Sequence, residues 1–174
     1  MSAQNFNLDD FMKNAKDLLH AGADRVKVEG PVLEVVEALV RAGISVCGHI
    51  GYTPQSIDQP KVQGRTDEAA ARLINEAKDL VTSGIDLLVL ELVPSELAKK
   101  ITESVSVPTI GIGAGVNCSG QVLVLYDLLG FNPEFKPKFL KQYVDGYSWV
   151  SAALKSYSQD VKTQAFPSEQ HSFK

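Results

Sequence analysis

The sequence predicts an α/β fold, a wound parallel sheet covered by helices, and three observations predict it. Short apolar strands alternate with amphipathic helices along the chain. One unit repeats: Gly22-Ala-Asp24 leads into a strand ending in Glu29, Gly43-Ile-Ser45 into one ending in His49, and Gly84-Ile-Asp86 into one ending in Glu91. Each of these strands carries a titratable residue at its carboxyl end, where ligands meet wound sheets and barrels.

Taken in order, residues 8–20 read as a helix, with Leu8, Phe11, Met12, Ala15, Leu18 and Leu19 on one face. Asn7 is its N-cap and Gly22 its stop. Arg25-Val-Lys-Val-Glu-Gly30 is the first strand. Lys27 and Glu29 share one face, Val26 and Val28 the other. Helical flanks imply burial of that strand on both faces, where charges are costly unless paired or bound. Pro31 opens the second helix, with Val32, Val35, Val36, Leu39 and Val40 as its stripe. Ser45–His49 is the second strand, and residues 50–65 are a loop long enough to suggest function.

Thr66 caps a third helix whose inner positions are Ala70, Leu73, Ile74, Ala77, Leu80 and Val81. Asp86–Glu91 is the third strand, and Pro94 starts a helix with Leu97, Ala98 and Ile101 inward. Val107–Ile112 is the fourth strand. Gly111-Ile-Gly-Ala-Gly115 reads either as an anion cradle or as a tight turn. Gln121–Tyr126 is the fifth strand. A last helix runs from about Trp149 to Thr163, with Val150, Ala153, Leu154, Tyr157 and Val161 as its stripe. The tail 166–173 has no periodicity, and His171 has no visible partner. Residues 1–174 are expected to form one domain.

Bulk properties exclude several classes of function. Hydrophobic residues make up 44% and charged residues 22% of 174, an ordinary globular balance. A net charge of -4 and a pI of about 5.4, with no basic stripe, argue against nucleic acid. No apolar run spans a membrane, and Met1–Asn5 lacks the regions of a secretory signal. Cys47 and Cys118 suit a reducing cytoplasm, with Cys47 as plain core.

Four residue types then converge on one chemistry. Glu29 is a hard oxygen ligand for Mg²⁺. Lys27 can hold a substrate carboxylate or a developing enolate. Four apolar residues precede Glu91, and desolvation suits its carboxylate to general-base work. His49 can donate a hydrogen bond or shuttle a proton. Together they suggest proton abstraction beside a carbonyl. A structural ion pair or ordinary helix caps would also account for single members of the set.

Val26-Lys-Val-Glu-Gly30, Val46-Cys-Gly-His-Ile-Gly-Tyr-Thr-Pro-Gln55, Lys61-Val-Gln-Gly-Arg65, Leu88-Val-Leu-Glu-Leu-Val-Pro94, Ile110-Gly-Ile-Gly-Ala-Gly115 and Glu169-Gln-His-Ser-Phe173 resemble, in that order, the ketopantoate hydroxymethyltransferase family. The resemblance implies a (β/α)₈ barrel akin to the phosphoenolpyruvate mutase group. It also implies one-carbon transfer from 5,10-methylenetetrahydrofolate to the small keto acid 3-methyl-2-oxobutanoate, with Mg²⁺ chelated by the keto acid. By position it makes Lys27 the keto-acid ligand, Glu29 a metal-site carboxylate, His49 a substrate-pocket residue and Glu91 the base. A cytoplasmic homo-oligomer, a decamer in the family, is implied as well.

One departure stands out. The family carries an N-terminal third with an Asp-Ser pair and a further Asp that hold metal and keto acid, and nothing in this sequence matches it. Five strands are countable where a barrel has eight in about 250 residues. The expectation is therefore a fragment, a mis-started frame or a truncated paralogue, with little or no turnover by itself. A related lyase or mutase, or a non-catalytic binding module, are the alternatives.

Overall fold

The computed structural model describes residues 7–173. Residues 1–6, which include the stretch compared with a secretory signal, and Lys174 lie outside the described residues. The chain divides into two compact units, Met1–Val122 and Leu123–Lys174.

The first unit holds α1 (Leu8–His20), β1 (Val26–Glu29), α2 (Leu33–Arg41), β2 (Val46–Gly51), α3 (Asp67–Thr82), β3 (Leu87–Glu91), α4 (Ser95–Ser104), β4 (Thr109–Ile112) and β5 (Gly120–Gln121). Its five strands form one sheet in the order β1-β2-β3-β4-β5, every pair parallel. This is the expected α/β winding: each strand lies beside the next, and a helix returns the chain across three of the four steps.

Local chemistry explains the helix starts. Asn7 Oδ1 accepts from the Asp9 amide at 3.1 Å, and Thr66 Oγ1 from the Ala69 amide at 3.2 Å. Both caps satisfy amides that a helix leaves unpaired. Pro31 is not a first helical residue; α2 begins two positions later, with Val32 at its cap and no side-chain bond there.

The core lies between the helices and one face of the sheet. Val26, Val28, Val46, Leu88 and Leu90 meet Val35, Val36, Leu39, Leu73, Leu80, Leu97 and Ile101 there. Gly48 belongs to this face, and a Cβ on it would crowd Ile85, Leu88 and Leu80 at 3.0–3.4 Å. Leu8 and Leu18, placed on the inner stripe of α1 by spacing, are exposed, because that helix buries only Ala15 fully.

The opposite face corrects the expectation that β1 is covered on both sides. Lys27 is exposed, and Glu29, Leu87, Val89, Glu91, Ile110 and Ile112 are half-buried. Cys47 and His49 are the buried members of this face. Among the described residues the five strands do not close on themselves, so β1 and β5 are the edges of this sheet and no described strand lies in front of it.

The fifth strand differs most from expectation. β5 is two residues long, Val122 adds one more ladder bond by donating to the Gly111 carbonyl at 3.1 Å, and Leu125–Leu128 is a short helix, α5. A short apolar run such as Val122-Leu-Val-Leu125 has no periodicity that separates strand from helix.

In the second unit, α6 runs Gly146–Lys162 and starts three residues earlier than expected, capped by Asp145, whose Oδ1 accepts from the Ser148 amide at 3.1 Å. Its stripe is not buried: Val150, Leu154, Tyr157 and Val161 are all exposed. His171 does have partners. Its Nδ1 lies 2.9 Å from Oγ of Ser168, the cap of a one-turn helix (Glu169–His171), and its ring meets Phe166 at a tilt of 53°, Phe166 in turn meeting Tyr157. No helix of the described residues is long and apolar enough to cross a membrane.

Candidate active site

The site grows from strand register. Glu29 stands level with His49, and Glu91 two residues beyond, level with Gly51. Side chains alternate along each strand, so Lys27, Glu29, His49 and Glu91 share the face away from the helices. All four sequence-predicted residues are therefore brought together.

They touch in a chain. Lys27 Nζ donates to Glu29 Oε1 at 2.9 Å and lies 3.1 Å from His49 Nδ1. His49 Nδ1 is 3.6 Å from Glu29 Oε1, and His49 Nε2 is 3.1 Å from Glu91 Oε2. An ammonium can only donate, so Nδ1 accepts from Lys27 and a neutral His49 carries its proton on Nε2. That proton is on the Glu91 side of the ring. The imidazole is 2% exposed, yet Nε2 has no hydrogen bond of acceptable alignment. Distance is satisfied there and angle is not. A buried donor left in this state is a place for a ligand oxygen.

Burial raises the Glu29 carboxyl, but the Lys27 ammonium and the Gln55 amide outweigh it and hold the group below the ordinary carboxylate range. The amide reaches Glu29 Oε2 at 3.1 Å. Glu29 is thus ionised and held at both oxygens, whereas Glu91 keeps one side toward solvent, with 18% of its side chain exposed. The two carboxylates have the same chemistry and different freedom. Lys27 retains donor capacity, since three N–H groups serve two protein partners and half of the side chain is exposed.

The long loop proves to be part of the site. Its first residue donates from Tyr52 N to the Glu91 carbonyl at 2.8 Å, and Gln63 N donates to the Leu92 carbonyl at 2.8 Å. Gly51 has φ +95°, and a Cβ there would sit 2.2 Å from the Glu91 carbonyl oxygen. Leu92 is left-handed at φ +49°, a conformation that costs a non-glycine residue about 1–3 kcal/mol. Gly51, Gln55 and Leu92 were not marked by sequence reasoning. Gly51 had a signal, a glycine closing a strand before a long loop; a backbone amide and a leucine φ have none.

The glycine run after β4 is a turn, the plainer of its two readings. The Gly115 carbonyl accepts from Gln121 Nε2 at 2.9 Å, and Ser95 occupies the space a side chain at Gly115 would need. Cys47 is buried, but on the site-bearing face of the sheet and not in the core cluster, and burial raises its thiol.

Comparison with known proteins bears on the whole arrangement. Residues 1–169 match the family described as ketopantoate hydroxymethyltransferase. The 3-methyl-2-oxobutanoate hydroxymethyltransferase of Bdellovibrio bacteriovorus is 49% identical over 167 residues, 93% of this chain and 64% of that protein. That of Thermosipho melanesiensis is 47% identical over 97% of this chain and 66% of its own length. That of Carboxydothermus hydrogenoformans is 49% identical over 99% and 64%. The chain thus spans a little under two thirds of the relatives it matches. Among solved structures, the YdjI aldolase from Escherichia coli K12 is similar with a TM-score of 0.46 and 17% identity, covering 91% of this chain and 66% of that one.

Proposed function

The chain belongs to the ketopantoate hydroxymethyltransferase family, and from that premise we propose that its strand-end cluster serves hydroxymethyl transfer to 3-methyl-2-oxobutanoate, a step in pantothenate synthesis. The observation that carries the reading is the continuous chain of contacts from Lys27 and Glu29 through His49 to Glu91. It sets a cation, an unfilled buried donor and a partly free carboxylate side by side.

The residues divide the work by what each has left to offer. Lys27 takes the keto acid's carboxylate with its remaining N–H. His49 Nε2–H donates to a substrate oxygen, which supplies the alignment it lacks in the protein alone. Glu91 removes the proton from C3, the carbon beside the carbonyl, and the carbanion equivalent attacks the methylene carbon of 5,10-methylenetetrahydrofolate; that carbon's two bonds to folate nitrogens break, water supplies the hydroxyl oxygen, and tetrahydrofolate leaves carrying the C3 proton and one proton of the water. Positioned general bases contribute about 10²–10⁴-fold to rate.

Mg²⁺ belongs to this proposal through Glu29 alone. A carboxylate that is 8% exposed at a strand end fits one position in a hard cation's shell. Among the described residues no group of three or more acidic, histidine or cysteine ligands gathers. Waters and the keto acid's oxygens would complete the shell, as is usual for Mg²⁺. When bound, the ion polarises the keto oxygen and makes the C3 proton more acidic. Cytoplasmic location and assembly into a homo-oligomer are part of the same proposal.

The test separates the first half-reaction from the second. With these residues in a full-length homologous background, in deuterated buffer with Mg²⁺, the C3 proton of 3-methyl-2-oxobutanoate is expected to exchange above the buffer rate without any folate, read by proton NMR. No binding of the keto acid and no exchange would overturn the proposal. Turnover of a phosphonate or a 2-methylisocitrate-like acid would transfer it to a lyase or mutase.

A further inference from the structure

The geometry points to a positioning role for Leu92: its left-handed backbone, pinned by the loop of residues 52–63, sets where the Glu91 carboxylate stands. This inference rests on the reading of Glu91 as the base and adds to it a residue that touches no substrate.

Three hydrogen bonds converge on the two residues. Leu92 N donates to the Ile112 carbonyl at 2.9 Å, Gln63 N to the Leu92 carbonyl at 2.8 Å, and Tyr52 N to the Glu91 carbonyl at 2.8 Å. Neighbouring strand and both ends of the loop therefore hold one peptide turn from different sides. A leucine at φ +49° persists when its surroundings over-determine it, and such residues gather where geometry serves function. β3 ends at Glu91, and in extended chain the next residue would continue along the strand. The reversal at Leu92 instead turns the chain at the point where Gly51 lacks a side chain, with no room for a Cβ against the Glu91 carbonyl. The same loop donates its Gln55 amide to Glu29 Oε2. One segment thus fixes the backbone of the base and the side chain of the other carboxylate.

Leu92 is also buried, at 9% exposure, so a packing role is the rival account. The two accounts order three substitutions in opposite ways. Isoleucine preserves apolar volume but is β-branched and resists positive φ; alanine loses volume and tolerates it poorly; glycine loses volume and adopts it freely. If packing matters, function follows Leu92→Ile, then Leu92→Ala, then Leu92→Gly. If backbone geometry matters, the order is reversed.

The experiment prepares all three in a full-length homologous background and reads three things. The ¹⁵N shift of His49 Nε2, 3.1 Å from Glu91, reports where the carboxylate stands. Hydrogen exchange at the Tyr52 and Gln63 amides reports the hold on the turn. Deuterium exchange at C3 of 3-methyl-2-oxobutanoate reports the base. Leu92→Gly is expected to keep the His49 shift and the protected amides, with C3 exchange within about tenfold of the unsubstituted chain. Leu92→Ile is expected to move the shift, expose both amides and lower exchange by about 10²-fold, the scale of an ångström-sized misplacement. Should Leu92→Ile fail to fold, the glycine–alanine pair decides, with glycine nearer the unsubstituted chain in all three readouts. Isoleucine or alanine outperforming glycine would overturn the inference. Absence of C3 exchange in the unsubstituted chain would instead remove the base reading, while the shift and the amides still decide whether Leu92 sets the geometry.

Discussion

The two faces of one sheet differ more than any two elements of this molecule. Toward the helices, Val46, Leu88 and Leu90 are completely buried among aliphatic neighbours. Away from them, the same strands carry Lys27, Glu29, His49 and Glu91, linked by polar contacts. Alternation along a strand puts stability and chemistry one residue apart, so the two should respond separately to substitution.

The largest expected effect lies on the apolar face. Leu88→Ala removes a fully buried side chain at the centre of the core and is expected to cost about 2–5 kcal/mol in urea unfolding. The folded fraction should still bind the keto acid. Lost binding with unchanged stability would break the separation. Gly51→Ala probes the point where the faces meet. It forces a side chain into positive φ and against the Glu91 carbonyl, so it should cost about 1–3 kcal/mol for the backbone and slow C3 exchange as well. An alanine variant that matches the parent in both would remove Gly51 from the account.

Glu29 sharpens the comparison through pH. Its folded-state carboxyl titrates below the ordinary value of 4.5, so the unfolded chain binds the proton more readily. The stabilisation is fully present above about 4.5 and is lost as pH falls through the lower folded value. Melting temperatures between pH 6 and pH 3 should fall less steeply in Glu29→Gln than in the parent. An unchanged slope would mean that the Lys27 and Gln55 contacts do not persist in solution. The smallest effect belongs to Thr66→Ala, which removes the cap of α3 and should cost about 1 kcal/mol with no change in keto-acid binding.

The same comparison shows what the sequence made legible. Strands β1 to β4 and helices α1, α3 and α4 follow from apolar spacing, caps and turn glycines, because each is decided within a few residues. The gathering of the four candidate residues was legible for a related reason, since period-two alternation and a repeated αβ step place them on one face at neighbouring strand ends. Coverage of that face was not legible, because it depends on whether the sheet closes. The end of β5 fell inside an apolar run that fits either structure. The α6 stripe was recognisable as helical, but spacing says nothing of what lies opposite it. Leu92 and the Gln55 amide act through the backbone, and no side-chain pattern announces a φ angle.

Glu91→Gln tests the division of labour most directly. The amide keeps the size of the carboxylate and a hydrogen-bonding oxygen but loses its basicity. With the substitution placed in a full-length homologous background, exchange of the C3 proton of 3-methyl-2-oxobutanoate is followed by NMR in that protein and its parent, beside their urea unfolding curves and keto-acid affinities. The account predicts a fall of about 10²–10⁴-fold in exchange with folding and binding retained. Exchange at the parent rate would contradict it and move the base to another group.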